Sequence, residues 1–216
     1  MNKQLRRTLV LLVLGAFTSL AFVKPVEEPK TLKIGDTAPL ADRRMEGVDG
    51  KQYSLNDLKQ KNGLVVVFSC NTCPFVVGSE NFVGWEGQYN LLANRASAVQ
   101  MGFVLINSNE AKRNGDDSMD AMKKRAAEQK YVMPYVIDTQ HELADACGAK
   151  TTPHVYVFDK EMKLIYTGAI DNTVDGKRKQ DETYLLNAMQ DYINGNEVKT
   201  TVTPPRGCSI KRTVKQ

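Results

Sequence analysis

Apolar positions along this chain fall into short continuous runs, with helical periodicity between them. Leu64-Val65-Val66-Val67-Phe68 lies between Gly63 and Ser69. A run of that length, largely β-branched and without alternation, predicts a strand covered on both faces. Phe103–Asn107 and Tyr135–Asp138 have the same character. His154–Phe158 and Leu164–Thr167 flank the turn Asp159-Lys160-Glu161-Met162 and predict a hairpin. Helical stretches separate these strands. One runs from about 72 into the 80s, with a break near Gly78 or Gly84, and another from Gln88 to Ala98. Asp116-Asp117-Ser118 caps a third that reaches about Gln129, and His141–Cys147 is a fourth, stopped by Gly148. Asp181–Ile193 places Leu185, Leu186, Met189 and Ile193 on one face and stops at Gly195. Upstream, Ile34–Leu40 reads as an extended lead-in. Val48-Asp49-Gly50-Lys51 reads as a tight hairpin turn, and Ser54–Leu58 as a short capped helical turn. Strands alternating with helices predict an α/β sandwich: a mixed central sheet flanked by helices, with the antiparallel hairpin at one edge.

The amino-terminal stretch changes the reading of charge and address. Lys3, Arg6 and Arg7 precede an apolar run from Leu9 to Val23, and Ser19-Leu20-Ala21 supplies small residues where a signal peptidase reads. The run is short for a membrane span. A cleaved secretory signal over 1–21 is therefore expected ahead of an uncleaved anchor. A linker over 22–31, a globular domain over 32–198 and a tail over 199–216 carrying Cys208 would follow. The whole chain has 29 Lys and Arg against 25 Asp and Glu. Removing the three basic residues of 1–21 leaves 26 against 25, so the basic balance is no argument for nucleic-acid binding. Lys177-Arg178-Lys179 and Lys211-Arg212 read as a solvated loop and tail. The expected location is outside the cytoplasm, in a periplasm-like compartment. Contact with a membrane is expected only if the leader stays uncleaved.

The chemistry lies at the end of the first core strand, in Cys70-Asn71-Thr72-Cys73-Pro74. Pro74 has a helical φ and no N–H, so it belongs in the first turn of a helix. The two thiols then sit at a strand–helix junction, where unpaired N–H groups and the helix dipole favour a thiolate. The expected roles are Cys70 as the exposed attacking thiol and Cys73 as the more buried resolving thiol. Pro153, before the fourth strand, is either an ordinary strand-start proline or a cis-proline beside the cysteines. In the second case Thr152 would offer its free backbone groups to an extended substrate segment.

Together these features resemble the thioredoxin superfamily: Cys70-Asn71-Thr72-Cys73-Pro74, then Thr152-Pro153 some 80 residues later before a hairpin and a last helix. Gly35-Asp36-Thr37-Ala38-Pro39, Asp49-Gly50-Lys51 and Ser54-Leu55-Asn56-Asp57-Leu58 resemble the AhpC/TSA–redoxin branch. Asn107-Ser108-Asn109 and Gly207-Cys208-Ser209-Ile210-Lys211 resemble its peroxiredoxin-like thioredoxin-domain members. The resemblance implies a thioredoxin-like fold and disulfide exchange on protein thiols or disulfides. It also implies Cys70 and Cys73 as the redox pair, Pro153 as the cis-proline, no organic cofactor, and a thiol protein as electron donor or acceptor. Three departures stand out. Ser69 replaces the tryptophan that often precedes the first cysteine. Leu64 stands where thioredoxins bury an acid. Val67 and Cys70 replace the Thr or Ser of the peroxidatic motif, which places peroxidase activity second.

Rival chemistries use the same residues. A zinc site would need two ligands beyond Cys70 and Cys73, from Cys147, Cys208, His141 and His154, none of which forms a second close pair. A Cu(I) module would use the two thiolates with His154. No metal is expected. His154 is read as a strand residue lining the groove rather than as an acid–base catalyst. Cys147 and Cys208 are accessory thiols: Cys147 is either a buried spare or close to the active-site surface, and Cys208 joins the redox pair, bonds Cys147 or is an exposed tail thiol.

Overall fold

The computed structural model describes residues 31–80, 83–174 and 180–214. The expected leader, the linker up to residue 30 and the basic triplet 177–179 lie outside the described residues. A hairpin of β1 (Met45–Glu46) and β2 (Gln52–Tyr53) leads into α1 (Leu55–Leu58). Ser54 and Asp57 cap α1 reciprocally: Asp57 N–H donates to Ser54 Oγ and Ser54 N–H to Asp57 Oδ2. β3 (Leu64–Ser69), α2 (Pro74–Val77), α3 (Tyr89–Ala98), β4 (Gly102–Asn107), α4 (Met119–Glu128) and β5 (Tyr135–Ile137) follow. After them come α5 (Glu142–Cys147), β6 (Thr151–Thr152), β7 (His154–Phe158), β8 (Leu164–Gly168), α6 (Tyr184–Ile193) and β9 (Cys208–Ser209).

Five strands form one mixed sheet in the order β5-β4-β3-β7-β8. β3, β4 and β5 run parallel, and β7 and β8 run antiparallel to their neighbours. β3 is central, and all six of its residues are buried. Alternation along it sorts the core into two layers. Val65 and Val67 face a cluster that takes in Trp85, Tyr89, Leu92, Met122, Leu185 and Met189 from the helical side of α3, α4 and α6. Leu64, Val66 and Phe68 face the other side, with Leu55 of α1 and Leu143, Ala144 and Cys147 of α5. Burial on both faces is what an unbroken apolar run requires.

Two expectations are corrected. The helix after the cysteines is a single turn, because Gly78 turns the chain away at φ 90°. Among the described residues, the next helical turn is a 3-10 turn at Trp85–Gln88 that feeds α3. The tail does not hang free. Val202 bridges β8 at Thr167, and β9 pairs antiparallel with β6. Beyond β9, Ile210 is buried in the α5-side core, and Arg212 donates to Asp145 Oδ1 at 2.8 Å and to the Ala149 carbonyl at 2.6 Å. Arg212 is thus an anchor rather than a solvated tail charge.

Candidate active site

β3 delivers Cys70 and α2 begins at Cys73, which is the helix N-cap. The short chain between them is held from outside. Asn71 N–H donates to Asp117 Oδ1 at 2.9 Å, and Asn71 Nδ2 to the Asp116 carbonyl at 2.8 Å. Tyr135 O–H donates to Asn71 Oδ1 at 2.9 Å. Asn107, at the end of β4, donates through Nδ2 to Asp117 Oδ1 at 2.7 Å and to the Tyr135 hydroxyl at 2.9 Å. Asn109 Nδ2 donates to Asp117 Oδ2 at 2.9 Å. Asp117 is fully buried and accepts all three donors. This fixes the Cys70–Cys73 loop against the ends of two neighbouring strands.

Asp117 is the residue that sequence reasoning missed. In the run Asp116-Asp117-Ser118 it reads as part of a helix cap, yet Ser118 alone is the N-cap of α4, its Oγ accepting from Ala121 N–H. The second acid beside a cap already filled was the available signal. It supplies a buried carboxylate near Cys70, although Leu64 occupies the position where thioredoxins carry theirs.

The Thr152-Pro153 peptide is cis. Cys70 Sγ lies 3.2 Å from Thr152 Oγ1, and Cys73 Sγ lies 3.1 Å from the Thr152 carbonyl, to which it donates as a thiol. Cys70, Cys73, Thr152 and Pro153 therefore meet at one place. The free edge expected at Thr152 is not free. The tail strand covers it, with Thr152 opposite Cys208 and Thr151 opposite Ser209.

The expected contrast between an exposed Cys70 and a buried Cys73 is also absent. Both residues are buried, at 3% and 4% exposure. What separates them is hydrogen bonding. The Cys70 thiol donates to Cys73, which holds Cys70 well above the ordinary thiol range and Cys73 below it; burial adds to the first shift and opposes the second. The Cys208 thiol also bonds Cys73, and Cys208 N–H donates to Cys73 Sγ at 3.3 Å. Asp117 adds to the upward shift of Cys70, since a second negative charge nearby is unfavourable, while bonds from the Thr152 side chain and the Thr72 backbone oppose it. These donors favour Cys73 over Cys70 as the sulfur that carries negative charge once the Cys73 thiol, which donates to the Thr152 carbonyl, has lost its proton. With α2 only one turn long, its donors are neighbouring thiols and the tail rather than a helix dipole.

The other candidates lie elsewhere. Cys147 ends α5 on the opposite face of the sheet from the pair, where burial pushes its thiol up. It neither approaches the active-site surface nor meets Cys208. His154 lies within β7 opposite Phe68, with its ring centroid 4.7 Å from that of Tyr156. Lys150 N–H donates to its Nδ1 at 3.2 Å, and Nε2 lies 3.3 Å from Thr167 Oγ1. Burial, then the Lys150 charge, lowers its pKa to about 3, so the ring is neutral and structural. His141 is held by Asp145 and the Thr213 carbonyl. Among the described residues no group of three or more His, Cys, Asp or Glu side chains is arranged to hold a metal.

The Redoxin family profile matches residues 33–185, from the lead-in through the start of α6. The chain belongs to the Redoxin family. As a Redoxin it is a thiol-based redox protein, and the cysteine pair is the only thiol pair joined at a strand–helix junction among the described residues. Two similar solved structures are an uncharacterized conserved protein from Geobacillus kaustophilus and a hypothetical protein from Sinorhizobium meliloti. The first is 32% identical, covers 87% of this chain and 96% of its own, and has a TM-score of 0.77. The second is 28% identical, covers 86% and 98%, and has a TM-score of 0.75. A peroxidoxin from Mycobacterium tuberculosis, 17% identical over 76% of this Redoxin and 95% of its own chain at a TM-score of 0.50, shares the fold. No curated protein matches the chain.

Proposed function

We propose that this Redoxin is a thiol–disulfide oxidoreductase acting on protein disulfides and thiols. The observation that carries the reading is the convergence of both thiols on the cis Thr152-Pro153 edge, with the donors gathered on Cys73. Cys73 is then the attacking thiol and Cys70 the closing one, the reverse of the order expected from a longer helix. The Cys73 thiolate attacks one sulfur of a substrate disulfide, and the departing thiolate takes a proton. Cys70 loses its proton and attacks the Cys73 sulfur, releasing the substrate as a thiol and leaving a Cys70–Cys73 disulfide. A second thiol protein resets the pair. The same steps run backwards oxidise a substrate dithiol.

Export fits this chemistry, since disulfides persist outside the cytoplasm. The basic residues Lys3, Arg6 and Arg7 ahead of the apolar run 9–23 support a secretory leader. Peroxide reduction is the second reading, favoured by burial of Cys73 behind the tail strand, where a small hydroperoxide enters more readily than a polypeptide. Cys73 would take the terminal oxygen as a sulfenic acid and release an alcohol, and Cys70 would displace water to form the same disulfide.

The test measures both activities in one preparation, with dithiothreitol as reductant: turnover of the insulin interchain disulfides and consumption of cumene hydroperoxide. Insulin turnover that falls at least 100-fold in Cys73→Ser and in Cys70→Ser supports the first reading. Hydroperoxide consumption with no insulin turnover would replace it with the second.

A further inference from the structure

The substrate edge of the site is filled by this chain's own tail. Thr152, the residue expected to pair with a substrate strand, instead pairs antiparallel with Cys208. Cys208 N–H donates to Cys73 Sγ at 3.3 Å, which brings the two cysteines side by side at this edge. A cysteine on an extended strand, in register beside the cis-proline with its thiol at Cys73, is what a substrate would present.

The placement is built rather than incidental. Gly207 runs so close to the edge that a Cβ there would stand 2.2 Å from the Thr152 carbonyl oxygen and 2.6 Å from its carbon. Only glycine fits between the strand and the cis-proline. On the upstream side, Thr203 N–H donates to the Thr167 carbonyl at 3.0 Å, and Thr203 Oγ1 accepts from Ala169 N–H at 2.9 Å. Downstream, Ile210 N–H donates to the Lys150 carbonyl at 3.1 Å, and Lys211 N–H to Asn109 Oδ1 at 2.8 Å. Cys208 therefore sits in a segment clamped at both ends, and Cys73 meets it as an intramolecular partner at high effective concentration.

We propose that Cys208 is a third redox thiol of this site, docked as an internal substrate, and that it exchanges into a disulfide with Cys73. The proposal rests on the thiol–disulfide reading above. Starting from the Cys70–Cys73 disulfide, Cys208 gives its proton to solvent and its thiolate attacks Cys73 Sγ. The Cys73–Cys208 bond forms and the Cys70–Cys73 bond breaks. The electron pair leaves on Cys70, which takes up a proton. The chain stays oxidised by the same two electrons that it gave up to the substrate disulfide, so the exchange needs no further oxidant. An incoming polypeptide must displace β9 to reach Cys73, which makes the tail a competitor as well as a relay.

The experiment oxidises the full-length protein with graded oxidised glutathione, quenches with acid and maps disulfide-linked peptides by mass. Wild type, Cys70→Ser and Gly207→Ala are compared. Gly207→Ala keeps all four thiols and removes only the fit of the strand. Wild type is expected to show Cys70–Cys73 together with Cys73–Cys208, and Cys70→Ser to show Cys73–Cys208 as its main disulfide. In Gly207→Ala the Cys73–Cys208 fraction should fall about tenfold while Cys70–Cys73 persists, with faster reduction of a small peptide disulfide. If wild type forms Cys70–Cys73 but Cys70→Ser gives only glutathionylated Cys73, the inference fails and the thiol–disulfide reading stands. If wild type forms neither disulfide, the reading beneath it fails as well.

Discussion

At the scale of single residues, charge in the dithiol is placed by hydrogen bonds and not by exposure. The Cys70 thiol, the Cys208 thiol and the Cys208 N–H favour negative charge on Cys73, while burial and the Thr152 carbonyl oppose it. Titrated by thiolate absorbance near 240 nm, the reduced protein should show one step below the usual thiol pKa of about 8.5, absent from Cys73→Ser. A first step at or above 8.5 would contradict the assignment. Asp117 is a positioning residue: it accepts from Asn71, Asn107 and Asn109 with no exposure to solvent. Asp117→Ala should cost about 3 kcal/mol in urea unfolding, because buried donors to a charged acceptor are left unpaired. Removing its charge should also ease ionisation of Cys70 and shift the pair toward a more oxidising potential. His154 works on stability alone. Its folded pKa, near 3, lies below the unfolded value near 6.5, so the unfolded chain binds more protons as the pH falls. Stability present above pH 6.5 is then lost on acidification, by about 2 kcal/mol between pH 7 and pH 5. His154→Gln should remove that slope, and an unchanged slope would show that other groups carry it.

At the scale of elements, what was legible follows from how locally each signal acts. Val65-Val66-Val67 announces a central strand because its burial on both faces needs no alternation, and the structure has it at the middle of the sheet. Gly148 ends α5 in the left-handed conformation that its sequence position suggests. Pro74 marks the start of α2 correctly, but nothing local to it reveals that the helix lasts one turn. That is decided by Gly78 together with the return to Trp85. The tail was the least legible element. Its strand has two residues, and its docking depends on Thr152, Gly207 and the buried Ile210, which are far apart in sequence. Ile210→Ala should therefore act on this element. Removing a buried branched side chain costs about 2–4 kcal/mol, read here as faster amide hydrogen exchange at Cys208 and Ile210 than in the β3 amides. Equal acceleration in β3 would mean that tail and sheet open as one unit.

At the scale of the whole molecule, the sheet places its chemistry where three segments end together. β3 brings Cys70, the chain after β6 brings the cis Thr152-Pro153 peptide, and the tail closes over both with Cys208. Cys147 lies on the opposite face of the sheet from the pair, because α5 packs there. Family membership was legible in the cysteine–proline pattern. The order of the thiols and the occupant of the substrate edge were not, since both depend on a tail some 135 residues from Cys73. The central claim is that Cys70 and Cys73 form one reversible redox couple. It is tested most directly by a glutathione redox titration of the wild-type protein, with alkylation trapping and mass mapping of all four cysteines. The account predicts a two-electron transition in which the Cys70–Cys73 disulfide forms reversibly, in exchange with Cys73–Cys208, while Cys147 remains a thiol throughout. A Cys70–Cys73 pair that stays reduced across the full range of glutathione potentials would contradict it.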